Sequence, residues 1–109
     1  MPITNKLRPF DDISAKAAPS EPGVYELLYR GTVVYIGSSS TSIRSRITSH
    51  RNSKHKTKVT HFRCKVVQWP DEAIELEAKL CKAFSRKNGG KPPRLQKRMP
   101  VNRDIFDWI

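Results

Sequence analysis

The chain has 109 residues and a formal net charge of +11, from 21 Lys and Arg against 10 Asp and Glu. That length fits one domain with a modest core, and a composition of 37% hydrophobic and 28% charged residues is typical of a globular rather than a disordered protein. Nucleic acid is the first partner that the charge suggests, because each Lys or Arg that neutralises a phosphate releases counterions. An anionic membrane surface is the second, although no apolar run approaches the length of about 18 residues that a membrane span needs.

The cysteine content and the N-terminus indicate the compartment. Cys64 and Cys81 are the only cysteines, and they form no CxxC pair that would indicate a structural zinc site. Both occupy apolar positions of their segments, which predicts two buried thiols in a reducing cytosol. The first ten residues contain no apolar stretch of the kind found in a signal peptide. We therefore expect a cytoplasmic, nucleoid-associated protein.

The residue pattern predicts an α+β fold in which a small three-stranded antiparallel sheet, in the chain order β-β-α-β-α, is flanked by helices. Residues 1–21 form an N-terminal extension with a short helix around Phe10–Ala18, residues 22–96 form the core, and residues 97–109 form a basic and apolar tail that packs on it. The predicted core elements, in chain order, are strands at Val24–Tyr29 and Thr32–Ile36, a helix at Ser42–Arg51, a basic loop at Arg51–Val59, a strand at His61–Gln68, and a helix from Asp71, its N-cap, to Lys87.

The first two strands form a hairpin, and each contains a tyrosine beside a glycine. If Arg30-Gly31 is a two-residue turn and the ladder is regular, Tyr25 and Tyr35 point to opposite faces of the sheet. They can line one site only if the loop has an odd length or one strand carries a bulge. Otherwise they are ordinary strand aromatics.

The last helix carries a carboxylate on its apolar side. Ala73, Leu76, Leu80 and Phe84 form one stripe at about 100° per residue, and Glu77 falls inside it. A buried carboxylate is costly unless it is paired or bound to a metal. Two interpretations of Glu77 are therefore open. It lies at the edge of the stripe, where it reaches solvent or forms a salt bridge with an arginine, or it is a metal ligand or catalytic carboxylate.

The first core helix carries two polar groups beside its apolar stripe. Ile43 and Ile47 define the stripe, and Arg46 and His50 lie four residues apart on one flank. An arginine in that position commonly covers apolar surface with its stem. Together, the two residues can also present a cation and a titratable base to one phosphate.

These pieces resemble the GIY-YIG nuclease family, whose members act in excision repair, recombination, restriction and intron mobility. The resemblance rests on Gly23-Val24-Tyr25, Tyr35-Ile36-Gly37, Arg46 and Glu77, in the expected order and on the expected elements, and it covers residues 22 to about 96. It implies a divalent-metal-dependent DNA endonuclease that hydrolyses phosphodiester bonds. An alternative is a catalytically weak or inactive DNA-binding module of the same fold, and a third is an RNA-associated basic protein with chance tripeptides.

The resemblance also implies a role for each site residue. Glu77 would hold Mg²⁺ (or Mn²⁺), and Arg46 would neutralise charge on the scissile phosphate. Tyr25 would be the general base, with its pKa lowered by a nearby arginine or the metal. Tyr35 would orient the water or the phosphate, and His50, which matches a histidine in one subset of the family, would assist proton transfer.

Other residues are implied in structural or binding roles. Gly23 and Gly37 would allow close packing, and Gln96 would stand where the family has a terminal asparagine, with Asn102 as a second candidate. The predicted partner is DNA, in a branched or nicked form, and the oligomeric state is left open. The residues expected to bind it are Arg44, Arg51, Lys54, Lys56, Lys58, Arg94, Lys97 and Arg98.

Overall fold

Helices lie on both faces of an antiparallel sheet in the computed structural model, which describes residues 6–95. The strands are β1 (Arg8–Pro9), β2 (Gly23–Tyr29), β3 (Thr32–Ser39) and β4 (His61–Val66). The helices are α1 (Asp12–Lys16), α2 (Ile43–Arg51) and α3 (Pro70–Lys87), and a short 3₁₀ helix at Lys54–Thr57 follows α2. The strand order is β1-β4-β2-β3, which places β2 inside the sheet.

The sheet has four strands within residues 6–95, so the prediction of three was wrong in number. The additional strand lies in the predicted N-terminal extension, where Arg8 pairs with Phe62 and Pro9 with His61 on β4. A two-residue strand shows no alternation of apolar and polar residues, and proline lacks the N–H that a ladder uses, so no residue pattern indicates this strand. The edge of a sheet is where such a strand is tolerated. The short helix expected within Phe10–Ala18 is confirmed as α1.

Two apolar clusters hold the layers together. On one face of the sheet, Tyr25 and Leu27 of β2 belong to the same buried cluster as Ile43 and Ile47 of α2. On the other face, Val24 and Ile36 pack with Leu80 and Cys81 of α3. The prediction of two buried thiols is confirmed, since Cys64 is buried in the first cluster and Cys81 in the second. Over residues 6–95, none of the helices has the length and apolarity needed to cross a bilayer.

Helix α3 begins two residues earlier than a cap at Asp71 predicts. Trp69 is its N-cap and Pro70 its first residue, so the prediction of Asp71 as the cap was wrong. Proline suits the first helical position because its fixed φ is already helical and its missing N–H would have no intrahelical partner there. The backbone N–H of Trp69 donates to Oε1 of Glu72 at 2.8 Å, which holds the start of the helix.

The β2–β3 hairpin contains a bulge that sets the positions of both tyrosines. Arg30 and Gly31 have φ values of 49° and 90°, as a two-residue type I′ turn requires. Pairing continues through Leu28 and Val33, but the next pair is Leu27 with Tyr35, so Val34 is an extra residue on β3. The turn is therefore regular. The bulge shifts the alternation of side chains along β3 by one residue, and this change of parity turns Tyr35 to the face that carries Tyr25.

Gly37 is needed where the ring of Tyr25 crosses the neighbouring strand. Tyr25 and Gly37 are paired across β2 and β3, and a Cβ atom on Gly37 would overlap Cζ and Oη of the tyrosine. At Gly23 a Cβ atom would likewise overlap the carbonyl oxygen of Lys65 and the side chain of Ile43. Both glycines therefore permit close approaches between layers.

Replacing Gly37 with alanine should force the ring of Tyr25 out of its position. We expect Gly37→Ala to lower the free energy of unfolding by about 1–3 kcal/mol, the usual cost of overpacking a core. The matched control is Ser40→Ala in the exposed loop that follows, which should change stability by less than about 0.5 kcal/mol. Urea denaturation measures both, and equal midpoints for the two variants would contradict the close contact.

Candidate active site

Two tyrosine rings lie side by side on the face of the sheet that α2 covers. The rings of Tyr25 and Tyr35 are stacked, with centroids 6.2 Å apart and planes 13° apart. Tyr25 is completely buried, whereas Tyr35 is half-buried. The Tyr25 hydroxyl lies 2.9 Å from Nε2 of His50 on α2. The prediction that one site can contain both tyrosines only with a change of parity is confirmed by this arrangement.

The serine-rich loop after β3 fixes where α2 begins. The Oγ atom of Ser39 accepts hydrogen bonds from the backbone N–H groups of Thr41 and Ser42, and Oγ of Ser42 caps the helix by accepting from Ser45. The helix then inserts Ile43 and Ile47 into the core. Because positions three and four residues apart share a helix face, this anchoring turns Arg46 and His50 towards the tyrosines.

Arg46 interacts with the polar end of Tyr25. Its charge interacts most strongly with Tyr25, and Tyr35 and Glu77 also act on it. These interactions, led by that of Tyr25, raise the pKa of Arg46. A cation beside the phenol oxygen favours a phenol proton that points away from it.

Both phenols are neutral at physiological pH. Burial raises the pKa of Tyr25, Tyr35 and Glu77 add to the increase, and Arg46 opposes it. Burial also raises the pKa of Tyr35. The expected influence of a neighbouring arginine is therefore present, but it is smaller than the effect of burial. Tyr25 can act as a base only if its own proton leaves as it accepts another.

His50 is the proton acceptor next to Tyr25. Its side chain is buried, and burial, followed by the charges of His55 and Arg46, lowers its pKa to about 4. His50 is therefore neutral at pH 7, with one ring nitrogen available as an acceptor. The rings of His50 and Tyr35 are also in edge contact, with centroids 4.7 Å apart.

Glu77 approaches the same cluster from α3. Its carboxylate is half-buried and accepts a 2.5 Å hydrogen bond from the hydroxyl of Ser38, and its charge raises the pKa values of both tyrosines. The structure thus brings together five of the residues that the sequence singled out as catalytic: Tyr25, Tyr35, Arg46, His50 and Glu77.

The oxygen-rich surroundings of Glu77 fit a small hard cation. Mg²⁺ is usually bound through one or two carboxylates and keeps several waters, so a single glutamate beside hydroxyl groups is a suitable donor set. No group of three or more His, Cys, Asp or Glu side chains within residues 6–95 forms a cage for a metal. A site that bound zinc through several side chains is therefore not favoured there.

Sequence reasoning missed two neighbours of these residues, His55 and Ser38. Nδ1 of His55 lies 3.2 Å from Nδ1 of His50, and its ring faces Tyr35 at a centroid distance of 5.7 Å. The residue pattern around His55 predicts only a basic loop without periodicity. A usable signal was present, because two of the three histidines of the chain lie five residues apart at the end of one helix.

The basic residues expected to bind DNA fall into two groups. Arg44 donates to the carbonyl oxygen of Ala18 at 2.8 Å, and Arg51 contacts Asp12 and the carbonyl oxygen of Phe10, so both hold the N-terminal segment against α2. The exposed group comprises Lys54, Lys56, Lys58 and Arg94. The remaining predicted positions lie outside the described residues: Gln96, Lys97, Arg98 and Asn102.

Comparison with known proteins gives a match at the level of structure. No protein-family model and no curated protein matches the chain. It is similar to the GIY-YIG N-terminal endonuclease domain of UvrC from Thermotoga maritima, in a tyrosine-to-phenylalanine mutant bound to its catalytic divalent cation. The identity is 27% over 79% of this chain and 93% of that one, with a TM-score of 0.65. The same domain bound to magnesium is 29% identical over 66% of this chain and 86% of that one, with a TM-score of 0.59.

The lowered pKa of His50 predicts how stability depends on pH. The unfolded chain takes up a proton at this residue near pH 6.5, whereas the folded chain resists it until about pH 4. The contribution of this pKa shift to the free energy of unfolding is therefore fully present above pH 6.5. It decreases by up to about 3 kcal/mol as the pH drops to 4. His50→Gln should flatten this part of the profile measured by urea denaturation, whereas His61→Gln should not. Identical slopes for the two variants would contradict the buried neutral state.

Proposed function

Because this chain belongs to the GIY-YIG superfamily, we propose that it is a divalent-metal-dependent endonuclease that hydrolyses phosphodiester bonds in DNA. The observation that carries the proposal is that a bulge in β3 and the capped start of α2 bring two tyrosines, an arginine and a histidine together with a carboxylate from α3. Metal-assisted hydrolysis of a phosphodiester uses a base, a cation at the phosphate and a metal site, and these residue types can supply all three.

Arg46 supplies positive charge to the scissile phosphate. Its guanidinium reaches solvent at the rim of the cluster, so a phosphate can approach it from outside. Guanidinium groups pair well with phosphate oxygens because their donors form a planar fork. The same charge interacts with the proposed base, because Arg46 acts electrostatically on Tyr25.

Tyr25 and His50 together act as the base. Tyr25 alone is a poor base because burial raises its pKa. With His50 accepting from its hydroxyl, Tyr25 can pass its proton to Nε2 as it removes one from water, so no isolated phenolate is needed. Tyr35, whose ring stacks on Tyr25, orients the water or the phosphate through its hydroxyl.

Glu77 holds the divalent cation, and Ser38 orients its carboxylate. When bound, a cation of this kind supplies positive charge to the phosphate and lowers the pKa of water. Magnesium is the cation bound by the similar UvrC domain, and we extend that choice to this chain. DNA repair is the corresponding biological context, by the same extension from a UvrC domain.

The catalytic assignment predicts which variants lose cleavage. Glu77→Gln removes the charge that holds the cation and Arg46→Ala removes the phosphate cation, so each should lower the rate by about 100-fold or more. The matched controls are Glu75→Gln and Arg86→Ala, which lie exposed on α3 and should cleave at the wild-type rate. The assay is nicking of supercoiled, branched and flap DNA with Mg²⁺ or Mn²⁺.

Two results would contradict this assignment. Cleavage by Glu77→Gln at the wild-type rate, or cleavage in the presence of a chelator, would exclude a metal held by that residue. Tight DNA binding by the wild type without nicking of any substrate would instead support a binding module of the same fold.

The exposed lysines near the 3₁₀ helix predict a salt-dependent affinity. Removing one lysine that neutralises a phosphate should reduce the slope of log affinity against log salt by about 0.9. We expect replacement of Lys54, Lys56 and Lys58 by glutamine, in a Glu77→Gln background that prevents cleavage, to weaken DNA binding and flatten this slope. The control is the same replacement of Lys79, Lys82 and Lys87 on α3. Equal slopes from the two triple variants in fluorescence anisotropy would exclude the 3₁₀ segment as the contact.

A further inference from the structure

Three side chains form a continuous chain of polar contacts from the buried tyrosine towards the surface. The Tyr25 hydroxyl lies 2.9 Å from Nε2 of His50, and Nδ1 of His50 lies 3.2 Å from Nδ1 of His55. The two imidazole rings are stacked with their centroids 5.3 Å apart. Exposure increases along the chain, from a fully buried tyrosine through a buried histidine to a partly exposed one.

The surroundings of Tyr25, His50 and His55 indicate which atom of each side chain carries the proton. The positive charge of Arg46 acts on the Tyr25 oxygen, which favours a phenol proton that points away from the guanidinium and towards Nε2 of His50. Neutral His50 then carries its proton on Nδ1 and donates it to Nδ1 of His55. Neutral His55 consequently carries its own proton on Nε2. All donors in the chain point the same way, which is the arrangement that a relay requires.

We propose that His55 is the outer positioning residue of a proton relay that carries the proton of the attacking water from Tyr25 through His50 towards solvent. This inference rests on the proposed function and extends it by one residue. Water gives a proton to the Tyr25 oxygen, Tyr25 gives its own to Nε2 of His50, and His50 gives its Nδ1 proton to His55. His55 becomes an imidazolium and releases its Nε2 proton to solvent. The leaving oxygen, on the opposite side of the phosphorus, takes its proton from solvent. After the product leaves, Tyr25 gives a proton to water in the open site as one enters at Nε2 of His55, which restores the starting tautomers.

The relay explains how a buried histidine can accept the proton of Tyr25 without becoming charged. His50 changes tautomer but stays neutral throughout, so the protein never places a charge in the core. The positive charge appears only on His55, where partial burial, followed by the charges of Lys54 and Lys58, lowers the pKa and favours release of the proton. The titratable and charged groups that face the histidine pair are Tyr25 on β2, Tyr35 on β3, Arg46 on α2, and Lys54 and Lys58 beside His55.

Ser53 holds the second histidine in its place. Its hydroxyl donates to the carbonyl oxygen of His50 at 2.8 Å and accepts from the backbone N–H of His55 at 3.1 Å. Ser53 is also the N-cap of the 3₁₀ helix. One side chain thus ties the end of α2 to the turn that carries His55, which fixes the distance between the two rings.

Two variants of the 109-residue chain separate a relay from a packing role. His55→Phe keeps a ring that stacks on His50 but cannot accept a proton, and His55→Ala leaves space for added imidazole. We expect each to cleave DNA about tenfold more slowly than the wild type near pH 7, with the deficit shrinking as the pH rises. Imidazole should restore the alanine variant only, and His61→Gln should behave as wild type. A wild-type rate and pH profile in His55→Phe would overturn the relay.

Nitrogen NMR of the histidine rings tests the chain without relying on cleavage. In the wild type at pH 7, His50 should be protonated on Nδ1 and His55 on Nε2, and His55→Ala should shift His50 away from the pure Nδ1–H form. His50 protonated on Nε2 in the wild type would overturn the relay. If the wild type cuts no DNA, the proposed function fails. The tautomers measured by NMR then still decide whether Tyr25, His50 and His55 are hydrogen-bonded in series.

Discussion

The single extra residue at Val34 is the constraint on which the site depends. A regular hairpin with a two-residue turn would place one tyrosine under α2 and the other under α3. The bulge turns Tyr35 to the α2 side, where it stacks on Tyr25 and contacts His50. The backbone N–H of Leu95 donates to the carbonyl oxygen of Val34 at 2.9 Å, so the chain that follows α3 stabilises the irregularity.

Burial determines which groups carry charge. Tyr25 and His50 lie inside the protein, where desolvation keeps both neutral, and the charged or exposed groups Arg46, His55 and Glu77 surround them at the rim. Proton transfer in such a site favours exchange between neutral partners, because a charge in the core is costly. The rim is also where a phosphate, which brings its own negative charge, can approach.

Much of the fold and the site was readable from the sequence, and the failures have physical causes. Tripeptide spacing and helical periodicity located Tyr25, Tyr35, Arg46, His50 and Glu77, because each lies on a regular element whose period fixes its direction. The Arg8–Pro9 strand is too short to have a period. His55 lies on a 3₁₀ turn whose course is set by Ser53 rather than by any repeating pattern. The spacing of the tyrosines indicated that a change of parity was needed, but the choice of a bulge over an odd loop depended on tertiary contacts.

The hairpin also limits how the chain can change in length. Between Tyr25 and Tyr35 the type I′ turn and the bulge together fix a parity, so adding or removing one residue would return Tyr35 to the α3 side, whereas a change of two would preserve its direction. Insertions and deletions accepted in this segment over evolution should therefore come in even numbers, or in compensating pairs on the two strands. Among homologous sequences, the parity of the interval between the two tyrosines should be better preserved than its length.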